Sequence, residues 1–480
     1  MATIVIATNG RTSLLNSYRE LASRLRAAGH RVVIVTGAST AERLRDEEPA
    51  TAHEVVGLDH DRRFGAEAEA DPPPGPTDPV AVARWVRRRR RLRDRSIDGD
   101  EVATTIESLD PDLLILDTEF QVGILATAGL DVPRVLAMTF FSIFAGPDLP
   151  PVNTSLPAPV TALDRLRVRL AWRWVRLGGV YARLSRRLSR AGVVALLRPM
   201  PLDSNDLADL RPLARRCGVD LRAVTDRSQW LRPYLIRDLP VLCLNAAELD
   251  LPHHPSPRIE YLGPLLRTDR AEPELDDEDR ARLEALVAAR AEAAEPRPLI
   301  YATLGTFAFD DRSLLDRIVA VAATEQGWDL VIGLGGAVDP DELAPLPPNV
   351  LALRWAPQLR ILAEADVVIT HGGTGTLREA VHHGVPSVVF PTGHGANDQA
   401  GAARRIAHHR LGVVGDPSAA TADDIAAAIT EALTDPEIRA GVAELQQASR
   451  AYTDEGRAVA SVERHLRPTS TARPSDSVRF

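Results

Sequence analysis

Apolar and polar residues alternate at the start of the chain in a pattern that predicts a strand, a helix and a second strand. Thr3 to Ala7 is a short β-branched and apolar run, and Leu14 to Ala28 repeats apolar residues at helical spacing. Gly29 ends the helical segment, and a second apolar run extends from Arg31 to Thr36. This order is typical of a βαβ unit, in which a helix connects two parallel strands.

Similar apolar runs recur along the chain in two groups, separated by an acidic, alanine-rich segment. We predict two doubly wound α/β domains: residues 1–264, then a linker at 265–298, then residues 299–467. The polar, Pro/Ser-rich residues 468–480 are predicted to be disordered. The further predicted strands are Leu113 to Asp117, Arg134 to Met138, Val241 to Leu244, Leu299 to Leu304, Asp329 to Ile332, Val350 to Leu353, Val367 to Thr370 and Ser387 to Phe390.

Length and composition agree with this division and exclude several functions. The chain has 480 residues, of which 45% are hydrophobic and 26% charged, and a single core rarely extends beyond about 250–300 residues. All 57 basic residues are arginine, so no Walker A lysine and no Schiff-base lysine is present. The net charge of −9 argues against a general nucleic-acid-binding protein.

The chain lacks the features of a secreted or membrane-spanning protein. Its two cysteines, Cys217 and Cys243, form neither a disulfide framework nor a metal-ligand spacing. The N-terminus has no basic segment and reads as a strand rather than a signal peptide. The most apolar uncharged run, Val135 to Pro147, is shorter than the ~20 residues that cross a bilayer. We therefore expect a cytoplasmic protein.

Two arginine-rich stretches stand out, Arg84 to Arg95 with eight arginines and Arg165 to Arg190 with nine. The second stretch interleaves arginine with Leu, Val and Trp, which predicts a long amphipathic helix. Such a charged face usually points into water. The alternative is peripheral contact with an acidic membrane surface or an acidic acceptor.

The clearest chemical pattern is a strand that runs into a glycine-rich turn and a helix. After Val367 to Thr370 come His371, three glycines and two threonines, which place backbone N–H groups at a helix N-terminus and predict an anion site. A diphosphate fits this site, with His371 and Thr376 as added donors. Glu379 lies about one helical turn further on and could accept hydrogen bonds from a ribose diol, and Trp355 could stack on a base. A glycine-rich turn alone is also common as a tight packing turn.

The segment from Arg354 to Gln399 resembles the donor signature of a known family. Its WAPQ, HGGTGT, glutamate and DQ motifs are similar to those of the GT-B nucleotide-sugar glycosyltransferases of the UDP-glucuronosyl/UDP-glucosyltransferase (GT1-like) type, which include bacterial macrolide and antibiotic glycosyltransferases. The resemblance is strongest from Leu299 to Val414. It implies two Rossmann-like domains facing each other across a cleft, and metal-independent, inverting transfer without a cofactor.

The resemblance also implies a role for each donor-site residue. The region from Pro391 to Asp398 is a few residues longer than usual, which leaves the identity of the sugar open. The implied roles are base stacking by Trp355, base or ribose contact by Gln358, ribose binding by Glu379, diphosphate binding by Thr306, His371, Gly373, Thr374, Gly375 and Thr376, and sugar binding by Asp398 and Gln399.

The first half resembles the family's acceptor domain less closely and departs from it at the catalytic histidine. That histidine belongs to a Gly-His-x-x-Pro loop, and the matching residues here are Ser13 to Ser17, with Leu14 in its place. A general base contributes about 10²–10⁴-fold to such a reaction. We favour Asp117, which ends a predicted strand where the histidine's partner carboxylate usually lies, with Glu119 as the reserve. Asp117 could instead cap the following helix.

Two histidines and two acidic patterns are alternative candidates for this chemistry. His60 and His394 are reserve bases, although a surface role is the more common one for a lone loop histidine. Asp98 with Asp100, and Asp110 with Asp112, form DxD patterns of the kind that hold a metal in another glycosyltransferase class. We expect turn positions for both pairs and no metal, because the glycine-rich turn can stabilise the diphosphate.

The sequence therefore predicts an inverting glycosyltransferase that moves a sugar from a UDP- or dTDP-sugar to a small lipophilic acceptor. A bacterial secondary metabolite is the favoured acceptor, and glycolipid synthesis is the second reading. A donor-binding pseudoenzyme or auxiliary subunit is the alternative that Leu14 suggests. An epimerase fits the motifs less well.

Overall fold

A computed structural model of the protein describes residues 1–10, 12–47, 54–59, 84, 99–190, 207–226, 228–229, 235–305, 312–324, 327–336, 338–343, 345–392, 398–454 and 456–466. The predicted sites at His60, Thr306 and His394, the lengthened segment 393–397, Asp98 and the tail from 467 lie outside these residues, as does Arg84 to Arg95 except for Arg84.

The first half of the chain forms a seven-stranded parallel sheet in the order β3-β2-β1-β4-β5-β6-β7. Paired registers such as Ile4 with Leu113 and Ile4 with Val32 place β1 between β2 and β4. The strands are β1 Thr3–Ala7, β2 Arg31–Gly37, β3 Glu54–Leu58, β4 Leu113–Asp117, β5 Arg134–Met138, β6 Val241–Cys243 and β7 Ile259–Tyr261.

The helices of this half cover the sheet because their apolar faces pack on it. Tyr18, Leu21 and Leu25 of the first helix are fully buried against the strands. The helices are α1 Thr12–Ala27, α2 Ala38–Glu47, α3 Gly99–Ser108, α4 Gln121–Ala126, α5 Ala162–Arg190, α6 Leu207–Arg216 and α7 Leu221–Val224, with 3₁₀ turns at Thr127–Gly129 and Ala247–Leu249.

The second half repeats the architecture with a six-stranded parallel sheet in the order β10-β9-β8-β11-β12-β13. Its strands are β8 Leu299–Thr303, β9 Asp329–Gly333, β10 Val350–Leu353, β11 Val367–Thr370, β12 Ser387–Val389 and β13 Gly412–Val414. Its helices are α8 Asp277–Glu292, α9 Arg312–Thr324, α10 Gln358–Glu364, α11 Thr374–His383, α12 Gln399–His408, α13 Ala422–Thr434, α14 Pro436–Asp454 and α15 Arg457–Glu463, with a 3₁₀ turn at Pro340–Leu343.

The last helix returns to the first sheet. Ala458 and Val462 of α15 are buried in the same cluster as Ile4 and Tyr18, and His30 Nε2 lies 3.1 Å from Glu463 Oε1. Part of the chain after residue 299, helix α15, thus packs against the first sheet. The division at 264, 298 and 467 stays a prediction, whereas the two parallel sheets confirm the predicted doubly wound α/β class.

Candidate functional site

The glycine-rich turn lies at the centre of the second sheet, where the strand order reverses. β8 and β11 are neighbours there, and later strands extend away on either side. Doubly wound sheets bind ligands at the carboxyl ends of the strands at such a switch point. Gly305 follows β8 and His371 follows β11, and a Cβ atom on Gly305 would lie 2.6 Å from His371 Cε1. The imidazole therefore occupies the space beside a glycine that has no room for a side chain.

Burial sets the charge state of His371. Burial lowers the pKa of His371 to about 4, although a hydrogen bond with the backbone of Thr303 opposes the shift. Gly373 also lies against the ring, since a Cβ atom there would be 2.7 Å from Nε2. His371 is thus neutral near pH 7 and could act on a phosphate as a neutral hydrogen-bond donor.

Helix α11 begins directly after this turn and presents its N-terminus. Gly373 is the residue before the helix, and no side chain caps the helix N-terminus. Gly372 has a φ of +90°, a conformation that favours glycine. The first N–H groups of a helix have no partner within it. Thr374, Gly375 and Thr376 form this first turn and are half-buried. The predicted anion site is therefore built from the residues that the sequence indicated.

The two residues predicted to bind the sugar lie beside the same turn. Thr374 Oγ1 donates to Asp398 Oδ2 at 3.1 Å, and Gln399 Oε1 accepts from Thr392 Oγ1 at 3.4 Å. Burial raises the pKa of Asp398, and the hydrogen bond from Thr374 opposes this. The structure thus places Asp398 and Gln399 at the start of α12, next to the helix that would hold the diphosphate.

Trp355 lies at the edge of the site as a flat, accessible surface. It follows β10 and remains 48% exposed, which is unusual for a large aromatic side chain. Its indole packs over Gly336, whose φ is +74° and where a Cβ atom would lie 2.2 Å from Trp355 Cζ2. The glycine therefore sets the position of an exposed ring on which a base could stack.

Glu379 is buried, and a residue that the sequence analysis missed holds it. Arg270 pairs with it bidentately, Nη1 with Oε1 and Nη2 with Oε2 at 3.2 Å. Gln358 Nε2 donates to the same Oε2. Burial lowers the pKa of Arg270, but the hydrogen bonds and charge of Glu379 outweigh it and hold the pKa above its usual value.

The linker reaches the donor site through a second residue as well. Glu272 accepts hydrogen bonds from the backbone N–H groups of Leu359 at 2.6 Å and Arg360 at 3.0 Å, at the start of α10. Both contacts span more than eighty residues, so no local sequence signal indicates them. The segment that was predicted only to connect the domains therefore contacts residues of the predicted donor site.

Asp117 lies at the matching switch point of the first sheet, but it is only 1% exposed. Its Oδ2 accepts from Thr8 Oγ1 and its Oδ1 from the backbone N–H of Glu119, both at 2.9 Å. Burial raises its pKa, and these hydrogen bonds oppose the shift. The nearby Tyr18 hydroxyl has a raised pKa, through burial first and the Asp117 charge second. Asp117 is thus enclosed by donors rather than open to a ligand.

Glu119 is the more accessible of the two carboxylates. It follows β4, is half-buried, and its Oε2 lies 3.5 Å from Asn9 Nδ2 in the loop after β1. Leu14 is also half-buried but packs against the cluster that contains Ile4 and Tyr18. The position of the usual histidine is therefore partly built into the hydrophobic core.

A buried ion pair joins the two halves beside these sites. Arg405 of α12 is 1% exposed, and its Nε donates to Asp250 Oδ1 of the first half at 2.8 Å. Burial raises the pKa of Asp250, but Arg405 outweighs burial and holds the pKa below its usual value. Arg378 of α11 donates to the carbonyl of Leu244 at 2.9 Å. Helices α11 and α12, beside the predicted donor site, are thus fixed directly to the first half of the chain.

Of the acidic DxD residues, Asp110 and Asp112 have structural roles, and Asp100 lies in the first turn of α3 rather than at the expected turn position. Asp112 Oδ2 accepts from the backbone N–H of Thr3 at 2.8 Å, and Asp110 occupies a turn with φ of +47°. In the part of the chain that the structure describes, no group of three or more His, Cys, Asp or Glu is arranged to hold a metal ion. Nor is any described helix long and apolar enough to cross a bilayer.

Comparison with known proteins shows which proteins this chain is similar to. Residues 314–459 match the family model described as the erythromycin biosynthesis protein CIII-like C-terminal domain. The chain is 25% identical to the 4'-demethylrebeccamycin synthase of Lentzea aerocolonigenes, over 93% of this chain and 95% of that protein. These matches make the chain similar to bacterial GT1-like glycosyltransferases. The predicted recognition is confirmed.

Two further matches define how far this GT1-like relationship extends. The demethyllactenocin mycarosyltransferase of Streptomyces fradiae is 36% identical, but the match spans only 30% of this chain and 31% of that relative. The structure of the glycosyltransferase VinC in complex with dTDP aligns with a TM-score of 0.59 at 18% identity, over 96% of this chain and all of that chain. This likeness concerns the fold, and it confirms the predicted GT-B architecture.

Proposed function

We propose that this protein transfers a sugar from a nucleoside diphosphate donor to a small lipophilic acceptor, with inversion at the anomeric carbon. The observation that carries the proposal is the assembly of Trp355, Glu379 and the open N-terminus of α11 at one sheet edge. Trp355 could stack on a base, Glu379 could accept a hydrogen bond from a ribose, and the α11 N-terminus could bind a diphosphate. The relatives that act in antibiotic biosynthesis support a secondary-metabolite acceptor.

In this reaction the acceptor oxygen forms a bond to the anomeric carbon while the bond from that carbon to the diphosphate breaks. The electron pair of the broken bond leaves with the diphosphate, whose charge the N–H groups of α11 and neutral His371 would stabilise. The acceptor proton passes to a carboxylate. The burial of Asp117 favours Glu119 as the group that receives it, with Asp117 positioning Glu119 through its backbone N–H.

The test is acceptor-dependent release of nucleoside diphosphate from a panel of UDP- and dTDP-sugars with a mixed set of lipophilic aglycones. We expect release by the unaltered protein and a strong loss in His371→Ala. Asp316→Asn serves as the control, since this α9 carboxylate is exposed and pairs with exposed Arg312 at 3.6 Å. Tight donor binding with no release for any acceptor would instead support a pseudoenzyme.

A second observation favours contact with a lipid surface during this transfer. Leu163, Leu166, Leu170, Trp174 and Leu177 follow one another at intervals of three or four residues along α5, and all are exposed. Arg165, Arg167, Arg169, Arg173 and Arg176 flank them and are exposed as well. Val168 and Trp172, on the other side of the helix, are buried. A cationic helix with an exposed apolar stripe suits an anionic membrane surface.

Vesicle flotation tests this contact. We expect the protein to float with vesicles of equal parts phosphatidylcholine and phosphatidylglycerol and to stay behind with pure phosphatidylcholine. Leu166→Glu with Trp174→Glu should abolish flotation without changing turnover on soluble acceptors. Flotation that is unaffected by the double variant would rule out this stripe, and dimerisation that the variant abolishes would assign it to a second copy of the chain.

A further inference from the structure

A buried arginine on α11 is held by two backbone carbonyls. Arg378 is 3% exposed and lies one helical turn after Thr374. Its Nε donates to the carbonyl of Thr374 at 3.3 Å, and its Nη1 donates to the carbonyl of Leu244 at 2.9 Å. Burial lowers the pKa of Arg378, and the negative charge of Glu379 opposes this shift. Because a buried guanidinium is costly unless its N–H groups have acceptors, the two carbonyls hold the side chain in one direction.

The two carbonyls belong to different halves of the chain. Thr374 is the first residue of α11, and its side chain donates to Asp398 at the start of α12. Leu244 follows β6, and its N–H donates to the carbonyl of Met138, the last residue of β5, at 2.8 Å. Arg378 therefore joins the first turn of α11 to the carboxyl edge of the first sheet through one planar guanidinium.

Helix α12 makes a second connection between the two halves. Gly401 of this helix packs so closely on the first half that a Cβ atom there would lie 2.1 Å from the carbonyl oxygen of Val152. One turn further along, Arg405 donates to Asp250. Both helices are thus tied to the first half, and the hydrogen bond at their N-termini ties them to each other. The N-termini of α11 and α12 are therefore held at a fixed distance from the first sheet.

We propose that Arg378 is a positioning residue that keeps the anomeric carbon of the bound sugar within reach of an acceptor on the first sheet. The inference rests on the proposed function. Bond formation requires the reacting atoms at about 3–3.5 Å and in line, and a misplacement of about 1 Å can lower the rate about 100-fold. Transfer therefore depends on where α11 lies relative to the first sheet. Nucleotide binding does not, because Trp355, Glu379 and the α11 N-terminus all belong to the second half.

Transfer of the same sugar to water provides an internal reference. The water oxygen forms the bond to the anomeric carbon, the electron pair of the broken bond leaves with the diphosphate, and the water proton passes to solvent. A water molecule diffuses to the anomeric carbon and needs no acceptor site on the first sheet. The ratio of transfer to hydrolysis therefore reports the position of the two halves separately from nucleotide binding.

The experiment measures transfer, hydrolysis and nucleotide affinity for Arg378→Met. The donor is whichever UDP- or dTDP-sugar of the panel above supports transfer, and affinity is measured by calorimetry with UDP and dTDP. We expect kcat for transfer to fall about 100-fold, while hydrolysis and the nucleotide Kd stay unchanged. Arg439→Met is the matched control, since exposed Arg439 of α14 also donates to a backbone carbonyl, that of Thr434, and it should change none of the three.

Unchanged transfer by Arg378→Met would overturn the inference while leaving the proposed function intact. A loss of nucleotide affinity equal to the loss of transfer would overturn it as well, because Arg378 would then support the nucleotide site itself. If hydrolysis is too slow to detect, transfer compared with affinity decides. If Arg378→Met does not fold, Arg378→Gln replaces it, since the shorter amide cannot span both carbonyls. An unaltered protein without transfer would remove the proposed function together with the inference.

Discussion

The two sheets share the same strand order around their centres, yet their switch points carry different chemistry. In the second sheet, β11 leads into neutral His371 and a glycine turn that presents backbone N–H groups at a helix N-terminus, and exposed Trp355 follows β10. In the first sheet, β4 leads into Asp117, which is enclosed by hydrogen-bond donors, and Glu119. Backbone geometry thus makes the predicted donor edge, at the carboxyl ends of the second sheet's strands, whereas individual side chains make the predicted acceptor edge, at the carboxyl ends of the first sheet's strands.

The comparison assumes that the two sheets keep a fixed position relative to each other, and the buried Arg405–Asp250 ion pair would hold them there. Arg405→Met leaves a buried carboxylate without its partner, so the free energy of unfolding should fall by about 3–5 kcal/mol. Urea unfolding measures this. The control is Arg410→Met, whose ion pair with Glu437 is more than half exposed on both sides and should contribute at most about 1 kcal/mol. Equal, small losses in both variants would show that another contact fixes the edges.

The donor edge depends on the backbone, and Gly336 tests this. Gly336→Ala introduces a Cβ atom at a φ of +74° and against the Trp355 ring, so the indole must move. We expect nucleotide affinity to fall about tenfold, since base stacking on an aromatic ring contributes about 1–3 kcal/mol. Gly327→Ala, at a glycine with nothing within 4 Å of the new methyl group, should leave affinity unchanged. If Gly336→Ala binds the nucleotide as tightly as the unaltered protein does, Trp355 does not contribute to nucleotide binding.

A smaller effect is expected on the pH dependence of stability, through His371. Its pKa of about 4 lies below the ordinary 6.5, so between these values the unfolded chain binds more protons than the folded one. Its contribution to stability is therefore complete above pH 6.5 and declines as the pH falls towards 4. His371→Gln should make the free energy of unfolding less dependent on pH across this window. An unchanged pH profile would mean that His371 titrates as an exposed histidine does.

The sequence predicted closely those strands whose residues are almost all buried, including β10, which is fully buried although it lies at a sheet edge. β1, β4, β5, β10 and β11 have the predicted bounds. The strands that were missed, β3, β7 and β13, all lie at sheet edges, and most of their residues are only partly buried or exposed. An edge strand needs no continuous apolar run, so it leaves a weak pattern.

The donor turn was likewise predictable because its residues are adjacent in sequence. Arg270 was not, since it meets Glu379 across 109 positions of the chain. The enclosure of Asp117 was hidden for the same reason: Thr8, the residue after β1, reaches it from 109 residues away. Local patterns indicate which residues end the strands, but the contacts that fix their protonation and accessibility arise only in the folded chain.

The central claim is that donor binding takes place at the second sheet and proton removal at the first sheet. One variant tests this claim most directly. Donor affinity and acceptor-dependent turnover should be measured together for Glu119→Gln. The account predicts that the variant binds a nucleotide sugar as the unaltered protein does, while turnover falls about 10²–10⁴-fold, the usual contribution of a general base. Full turnover in Glu119→Gln, or a loss of donor binding equal to the loss of turnover, would contradict it.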